Sequence, residues 1–108
     1  MIVEVPANIS VQSVKAPASK SYAQRAILAA ALAEGRSEIY NFGTSDDVNH
    51  IIEIAKQFGA EIEKTENKLT IKGRTFPTSK ELNCGESGLG VRLTTSIAAS
   101  LGGSFTIK

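Results

Sequence analysis

The chain has 108 residues, 42% hydrophobic and 21% charged, the balance of a globular protein with a single core. Its 12 basic and 11 acidic residues leave a net charge of +1, which excludes a general polyanion-binding surface and makes any anion site local. Cys84 has no second cysteine to pair with, which suits a reducing compartment, and no apolar run reaches the length of a membrane span.

Residues 1–6 show neither a basic leader nor a long apolar stretch, so no secretory signal is read there and a cytoplasmic location is expected. Residues 1–5 alternate enough to form a short strand, interrupted at Pro6, and residues 9–15 form a second extended run. Pro17 biases Ala16 towards extended backbone and ends that run. Ser21, followed three residues later by Gln24, matches a capping box, so a helix is predicted from Tyr22 to about Glu34, with Gly35 as its stop. Residues 26–33 carry no charged or strongly polar side chain, the pattern of a helix buried on all sides.

Residues 37–42 are a strand candidate. Ser45 caps the next helix and Asp46 and Asp47 sit at its favourable end. Val48, Ile51, Ile52, Ala55 and Phe58 recur at helical spacing and define its apolar face, and Gly59 ends it. Residues 60–64 and 68–72 alternate around Glu66 and Asn67 and read as a hairpin. A loop over residues 74–80 and a short strand over 81–84 follow. The turn Gly85-Glu86-Ser87-Gly88 then opens a third helix over 89–101, and residues 104–108 begin another strand. The order β-α-β-α-β-β is thus followed by a second β-α-β that stops inside a strand, which reads as a fragment of a longer protein.

The junction of residues 16–25 carries the chemistry. The first turn of a helix has unpaired N–H groups and a partial positive charge, so stability alone favours acids there. This chain instead places Lys20 before the predicted helix and Arg25 just inside it. Ser21 and Arg25 are four apart and share a helix face. Two cations, a hydroxyl and free N–H groups suit an anion such as phosphate; a solvated Lys and Arg beside an ordinary cap is the competing reading. The third helix repeats the arrangement, with Ser87 at its start and Arg92 in its first turns.

Other motifs fail. The glycines of a Walker A loop ending at Lys20-Ser21 would fall on Val14 and Ser19. Gly85, Gly88 and Gly90 lack dinucleotide-fold spacing. His50 reads as a partly exposed helix residue, and no Cys/His cluster has metal-ligand spacing. Cys84 has no base nearby in sequence and reads as a small strand residue. Asp46 and Asp47 are a candidate acid pair, although helix capping accounts for at least one of them.

Pro17-Ala18-Ser19-Lys20-Ser21 with Arg25, the alanine-rich run to Gly35, and Ser45-Asp46-Asp47-Val48 together resemble the N-terminal quarter of the 5-enolpyruvylshikimate-3-phosphate synthase family (3-phosphoshikimate 1-carboxyvinyltransferase). The resemblance implies an α/β fold of β-α-β-α-β-β units in an inverse α/β barrel, with buried helices behind a mixed sheet. Residues 14–80 would be the first unit and 81–108 the start of the second. Residues 1–13 would belong with the other half of the enzyme.

The implied activity moves the enolpyruvyl group of phosphoenolpyruvate onto the 5-hydroxyl of shikimate 3-phosphate, a step of aromatic amino-acid biosynthesis, with no metal or organic cofactor. Lys20 would contact both substrates, and Ser21 and Arg25 would hold shikimate 3-phosphate. Gly88 would let backbone approach phosphoenolpyruvate, Arg92 is a further substrate-binding candidate, and Asp47 joins Lys20 as a catalytic candidate. The implied partners are these small molecules and the remainder of the same polypeptide, with neither nucleic acid nor membrane, and the fragment alone is expected to be inactive. Glu86 departs from the family pattern, which has Asn there. The related UDP-N-acetylglucosamine enolpyruvyl transferases, which carry Lys-Asn at the Lys20-Ser21 position, and a non-catalytic anion-binding module are the alternative readings.

Overall fold

The computed structural model describes residues 1–73 and 76–108. The described elements run α1 (Lys20–Leu32), β1 (Arg36–Tyr40), α2 (Asp46–Gln57), β2 (Glu61–Lys64), β3 (Lys68–Lys72), β4 (Glu81–Leu82), α3 (Gly88–Leu101) and β5 (Thr106–Ile107). Among them no helix is long and apolar enough to cross a membrane.

Alternation along the strands decides which way the first sheet faces. β3 lies between β1 and β2 and pairs antiparallel with both. On one face Glu38 stands opposite Thr70, Tyr40 opposite Lys68 and Glu63 opposite Thr70, so that face is polar. On the other face Ile39 pairs with Leu69 and Ile62 with Ile71. Leu69 and Ile71 are fully buried there, in one core with Ile27 and Ala31 of α1 and Val48, Ile51 and Ala55 of α2. Burying each such Leu or Ile contributes about 1.5–3 kcal/mol relative to leaving it exposed. β4 and β5 pair in parallel as a second sheet, with α3 as their crossover. Phe58, buried at the end of α2, meets Phe105 edge-on at 6.4 Å and ties this β-α-β element to the first core.

The α2 helix and the hairpin match the sequence expectation. Ser45 Oγ accepts from the Val48 N–H, and Val48, Ile51, Ile52, Ala55 and Phe58 are all buried. Gly59 stops α2 at φ +104, where a Cβ would also lie 2.4 Å from the Phe76 carbonyl oxygen.

Other expectations are corrected. α1 begins at Lys20 and its cap is Ser19, whose hydroxyl accepts from the Tyr22 N–H at 3.3 Å. Ser21 therefore lies inside the first turn, and Gln24 forms no capping box because its side chain is buried towards α3. α1 stops at Leu32, short of Glu34, because the Gly73 N–H donates to Gly35 O and draws the chain into the sheet. Nor is α1 covered on all sides: Tyr22, Arg25 and Ala29 are exposed on the face that α2, α3 and the sheet do not reach.

The strand and extended run expected before α1 are absent. Residues 1–19 carry neither helix nor strand, and Ile2, Val5 and Val14 are exposed. A strand needs a ladder partner, and no strand of either sheet pairs with this segment. The first β of the expected β-α-β-α-β-β order is therefore missing, and antiparallel and parallel pairing occur in separate sheets instead of one mixed sheet. β4 and β5 are two residues each, shorter than expected. Of the loop expected over residues 74–80, Arg74 and Thr75 lie outside the described residues, and 76–80 form neither helix nor strand.

Candidate functional site

The site is assembled where the helices start. Ser19 takes extended backbone (φ −78, ψ 108) and hands the chain to α1 at Lys20. Its carbonyl accepts the first helical bond, from the Ala23 N–H at 2.9 Å, and its hydroxyl takes the Tyr22 N–H. The N–H groups of Lys20 and Ser21 precede the helical ladder and keep their partial positive charge.

Lys20 reaches sideways to α2. Its Nζ lies 2.7 Å from Asp47 Oδ2, with the Lys20 side chain 55% and the Asp47 side chain 22% exposed. Asp47 is in the first turn of α2, so the N-termini of α1 and α2 lie together. The pair explains how a lysine is accommodated at a helix N-terminus, because the carboxylate offsets the unfavourable field of the α1 dipole.

The second turn of α1 reaches α3. Gln24 is buried in an otherwise apolar face, and the Ser87 hydroxyl donates to its Oε1 at 3.0 Å. Ser87 is the cap of α3 and accepts from the Gly90 N–H at 2.9 Å. All three helices thus direct their N-terminal ends, capped by Ser19, Ser45 and Ser87, towards one region. Converging N-termini and nearby cations form a favourable environment for an anion.

Ser21 and Arg25 are exposed on one face of α1, as their spacing implied, and Tyr22, Ala26 and Ala29 border Arg25 on an open surface of the helix. Gly88 and Arg92 are exposed on the first turns of α3. A Cβ at Gly88 would meet nothing within 4 Å, so the turn is open to an approaching group. Among the described residues no carboxylate is paired with Arg25 or Arg92.

Of the residues singled out in the sequence, Lys20 and Asp47 are in direct contact, and Ser21 and Arg25 share a surface. Gly88 and Arg92 stand on the helix that Ser87 ties to Gln24. The Lys20–Asp47 pair and the Gln24–Ser87 bond were not legible in the sequence. The available signal was an amide, Gln24, on the buried face of an alanine-rich helix, which invites a search for a partner. His50 is half-buried, with its imidazole against Gly85 and no hydrogen bond to Nδ1. Cys84 is fully buried just after β4. Among the described residues no group of three or more His, Cys, Asp and Glu side chains is placed to hold a metal ion.

Residues 5–108 match the family described as EPSP synthase (3-phosphoshikimate 1-carboxyvinyltransferase). A 3-phosphoshikimate 1-carboxyvinyltransferase of Chlamydia felis is 40% identical over 105 residues, covering 94% of this chain and 23% of that protein. One from Methanobrevibacter smithii is 41% identical over 90 residues, covering 80% of this chain and 20% of that protein. The solved EPSP synthase from Acinetobacter baumannii superposes with a TM-score of 0.67 at 29% identity, covering 75% of this chain and 20% of that one. The chain therefore spans 20–23% of the length of these relatives.

Proposed function

Because the chain belongs to the EPSP synthase (3-phosphoshikimate 1-carboxyvinyltransferase) family, we propose that it supplies one wall of a site that joins phosphoenolpyruvate to shikimate 3-phosphate. In that reaction the 5-hydroxyl oxygen of shikimate 3-phosphate forms a new bond to the enolpyruvyl carbon. The bond from that carbon to the phosphate oxygen breaks, and phosphate leaves with a proton that balances the one lost by the hydroxyl.

The observation that carries the reading is the gathering of Lys20, Ser21 and Arg25 at helix N-termini that hold Asp47 and Ser87 beside them. Both substrates are phosphate esters. The Arg25 guanidinium is suited to two parallel hydrogen bonds with the phosphate of shikimate 3-phosphate, and Ser21 adds a neutral donor. Lys20, held by Asp47 at the junction of α1 and α2, is the cation shared by both substrates. It offsets charge that develops as phosphate departs. Asp47 orients that ammonium and is the carboxylate nearest to it for proton exchange. The open α3 turn at Gly88, with Arg92 beyond it, receives phosphoenolpyruvate.

The remaining polypeptide supplies the opposite wall and excludes water, so the chain by itself turns nothing over. In this reading residues 14–80 form the first unit, 81–108 open the second, and the exposed segment 1–13 joins the other half. The enzyme works in the cytoplasm.

The test is titration calorimetry of the complete enzyme with shikimate 3-phosphate. Lys20→Ala and Arg25→Ala should each weaken binding at least about tenfold, since hydrogen bonds to charged groups contribute about 1.5–3 kcal/mol each. Unchanged affinity in both variants contradicts the site.

A further inference from the structure

The bond between Gln24 and Ser87 is the feature that the proposed chemistry leaves unused. Gln24 is 1% exposed and Ser87 3%, and the bond closes a separation of 63 residues. The Ser87 hydroxyl is occupied in both directions, donating to Gln24 Oε1 and accepting from the Gly90 N–H. It has little room to shift. A Cβ at Gly90 would lie 2.9 Å from Ser87 Oγ and 3.5 Å from Ile51 Cδ1, so α3 is seated closely on both its own cap and α2.

An apolar contact at this point would add stability without fixing one distance and direction. A hydrogen bond fixes both, because it weakens steeply when misaligned. Position matters too. Gln24 stands one turn after Lys20 and directly before Arg25, and Ser87 stands directly before Gly88. The bond therefore lies between the two groups of substrate-binding candidates.

We propose that Gln24 and Ser87 are a positioning pair whose buried hydrogen bond holds Lys20 and Arg25 on α1 in register with Gly88 and Arg92 on α3. The inference rests on the substrate reading above and extends it to two residues that touch neither substrate. In a reaction that joins two separately held molecules, the affinity of each depends on its own contacts, whereas the rate depends on their relative placement. A misplacement of about 1 Å costs on the order of a hundredfold in rate.

The test uses the complete enzyme with Gln24→Met, Ser87→Ala and the double variant. Phosphate release at saturating substrates gives kcat, calorimetry gives the affinity for shikimate 3-phosphate alone, and thermal melting gives stability. Gln24→Met fills the same space but replaces the amide oxygen with a thioether sulfur, a weak acceptor, and should lower kcat about 10- to 100-fold. Affinity for shikimate 3-phosphate should stay within about twofold, the pattern of an interaction that acts on the transition state. The double variant should be no slower than the slower single variant, because both changes remove one bond.

Gln24→Glu, which restores an acceptor oxygen, should recover most of the lost kcat. Ile71→Val, trimmed in the core of β3, should lower the melting temperature and keep kcat, separating position from stability. If Gln24→Met does not fold, Ser87→Ala carries the same expectation, since it removes only a cap and the bond.

Full kcat in Gln24→Met overturns the proposal. So does a loss of shikimate 3-phosphate affinity that matches the loss of kcat, or a double variant in which the two losses multiply. A wild-type enzyme that makes no product overturns the functional reading itself and the pair with it, so the two failures are told apart.

Discussion

Gly88 and Gly90 are two residues apart in one helix turn and do opposite things. Space around the Cβ position of Gly88 is empty, whereas a Cβ at Gly90 would press on Ser87 at 2.9 Å. Gly88→Ala should therefore leave the fold intact or stabilise it by up to about 1 kcal/mol, since alanine is the better helix former. Gly90→Ala should destabilise by about 1–3 kcal/mol, because the Ser87 cap must give way. Differential scanning calorimetry of both variants checks this, and a Gly88→Ala chain that melts well below wild type contradicts the open turn. The chemistry of residues 16–25 was legible as cations placed where acids are preferred. Which serine caps α1 was not, because Ser19 and Ser21 both suit a cap and only backbone geometry separates them. Asp47 was likewise legible as a helix-start acid, but its contact with Lys20 depends on how α1 and α2 pack.

Among elements, the β1–β3 ladder carries a polar network on its outer face. Tyr40 OH donates to Glu38 Oε2 at 2.9 Å, and Lys68 Nζ and Arg36 Nη2 lie 3.3 and 3.1 Å from Glu38 Oε1. The tyrosine hydroxyl first, then the lysine, hold the Glu38 carboxyl below its ordinary value of 4.5. The same bond to Glu38 raises the Tyr40 hydroxyl above its ordinary 10.0. A depressed carboxylate contributes stability that is present above its unfolded pKa and is lost as pH falls through the folded one. The tyrosine, raised, contributes below its unfolded pKa and loses that contribution as pH climbs through the folded one. Tyr40→Phe should therefore reduce the loss of stability on acidification below about pH 4.5 and remove the tyrosine component above about pH 10. Urea midpoints measured across pH for both chains check it; superimposable profiles contradict the network. The hairpin and α2 were legible because their alternation and helical spacing match the faces they bury. The apolar residues before α1 carry a similar pattern yet form no strand, because the segment pairs with no edge of either sheet.

At the scale of the molecule, the described chain is drawn out: its radius of gyration is 16.8 Å and its longest axis 58 Å, against about 13 Å for the radius of a compact 100-residue domain. The exposed N-terminal segment and the bare face of α1 at Tyr22, Arg25 and Ala29 are surfaces that the proposed remainder of the enzyme would cover. The positional repeat of Ser21 with Arg25 and Ser87 with Arg92 was readable in the sequence. The structure shifts its register, since Ser87 caps α3 as Ser19, not Ser21, caps α1, and the Gln24–Ser87 bond brings the two helix starts together. No spacing rule announces that bond, since it closes through 63 intervening residues. In the proposed enzyme the helix starts gathered around Lys20 form a substrate-phosphate site. A crystal structure of the complete enzyme with shikimate 3-phosphate tests it most directly. Phosphate oxygens should lie within about 3 Å of Ser21 and the Arg25 guanidinium, with Lys20 turned to the ligand. A phosphate bound elsewhere, with Ser21 and Arg25 facing solvent, would contradict it.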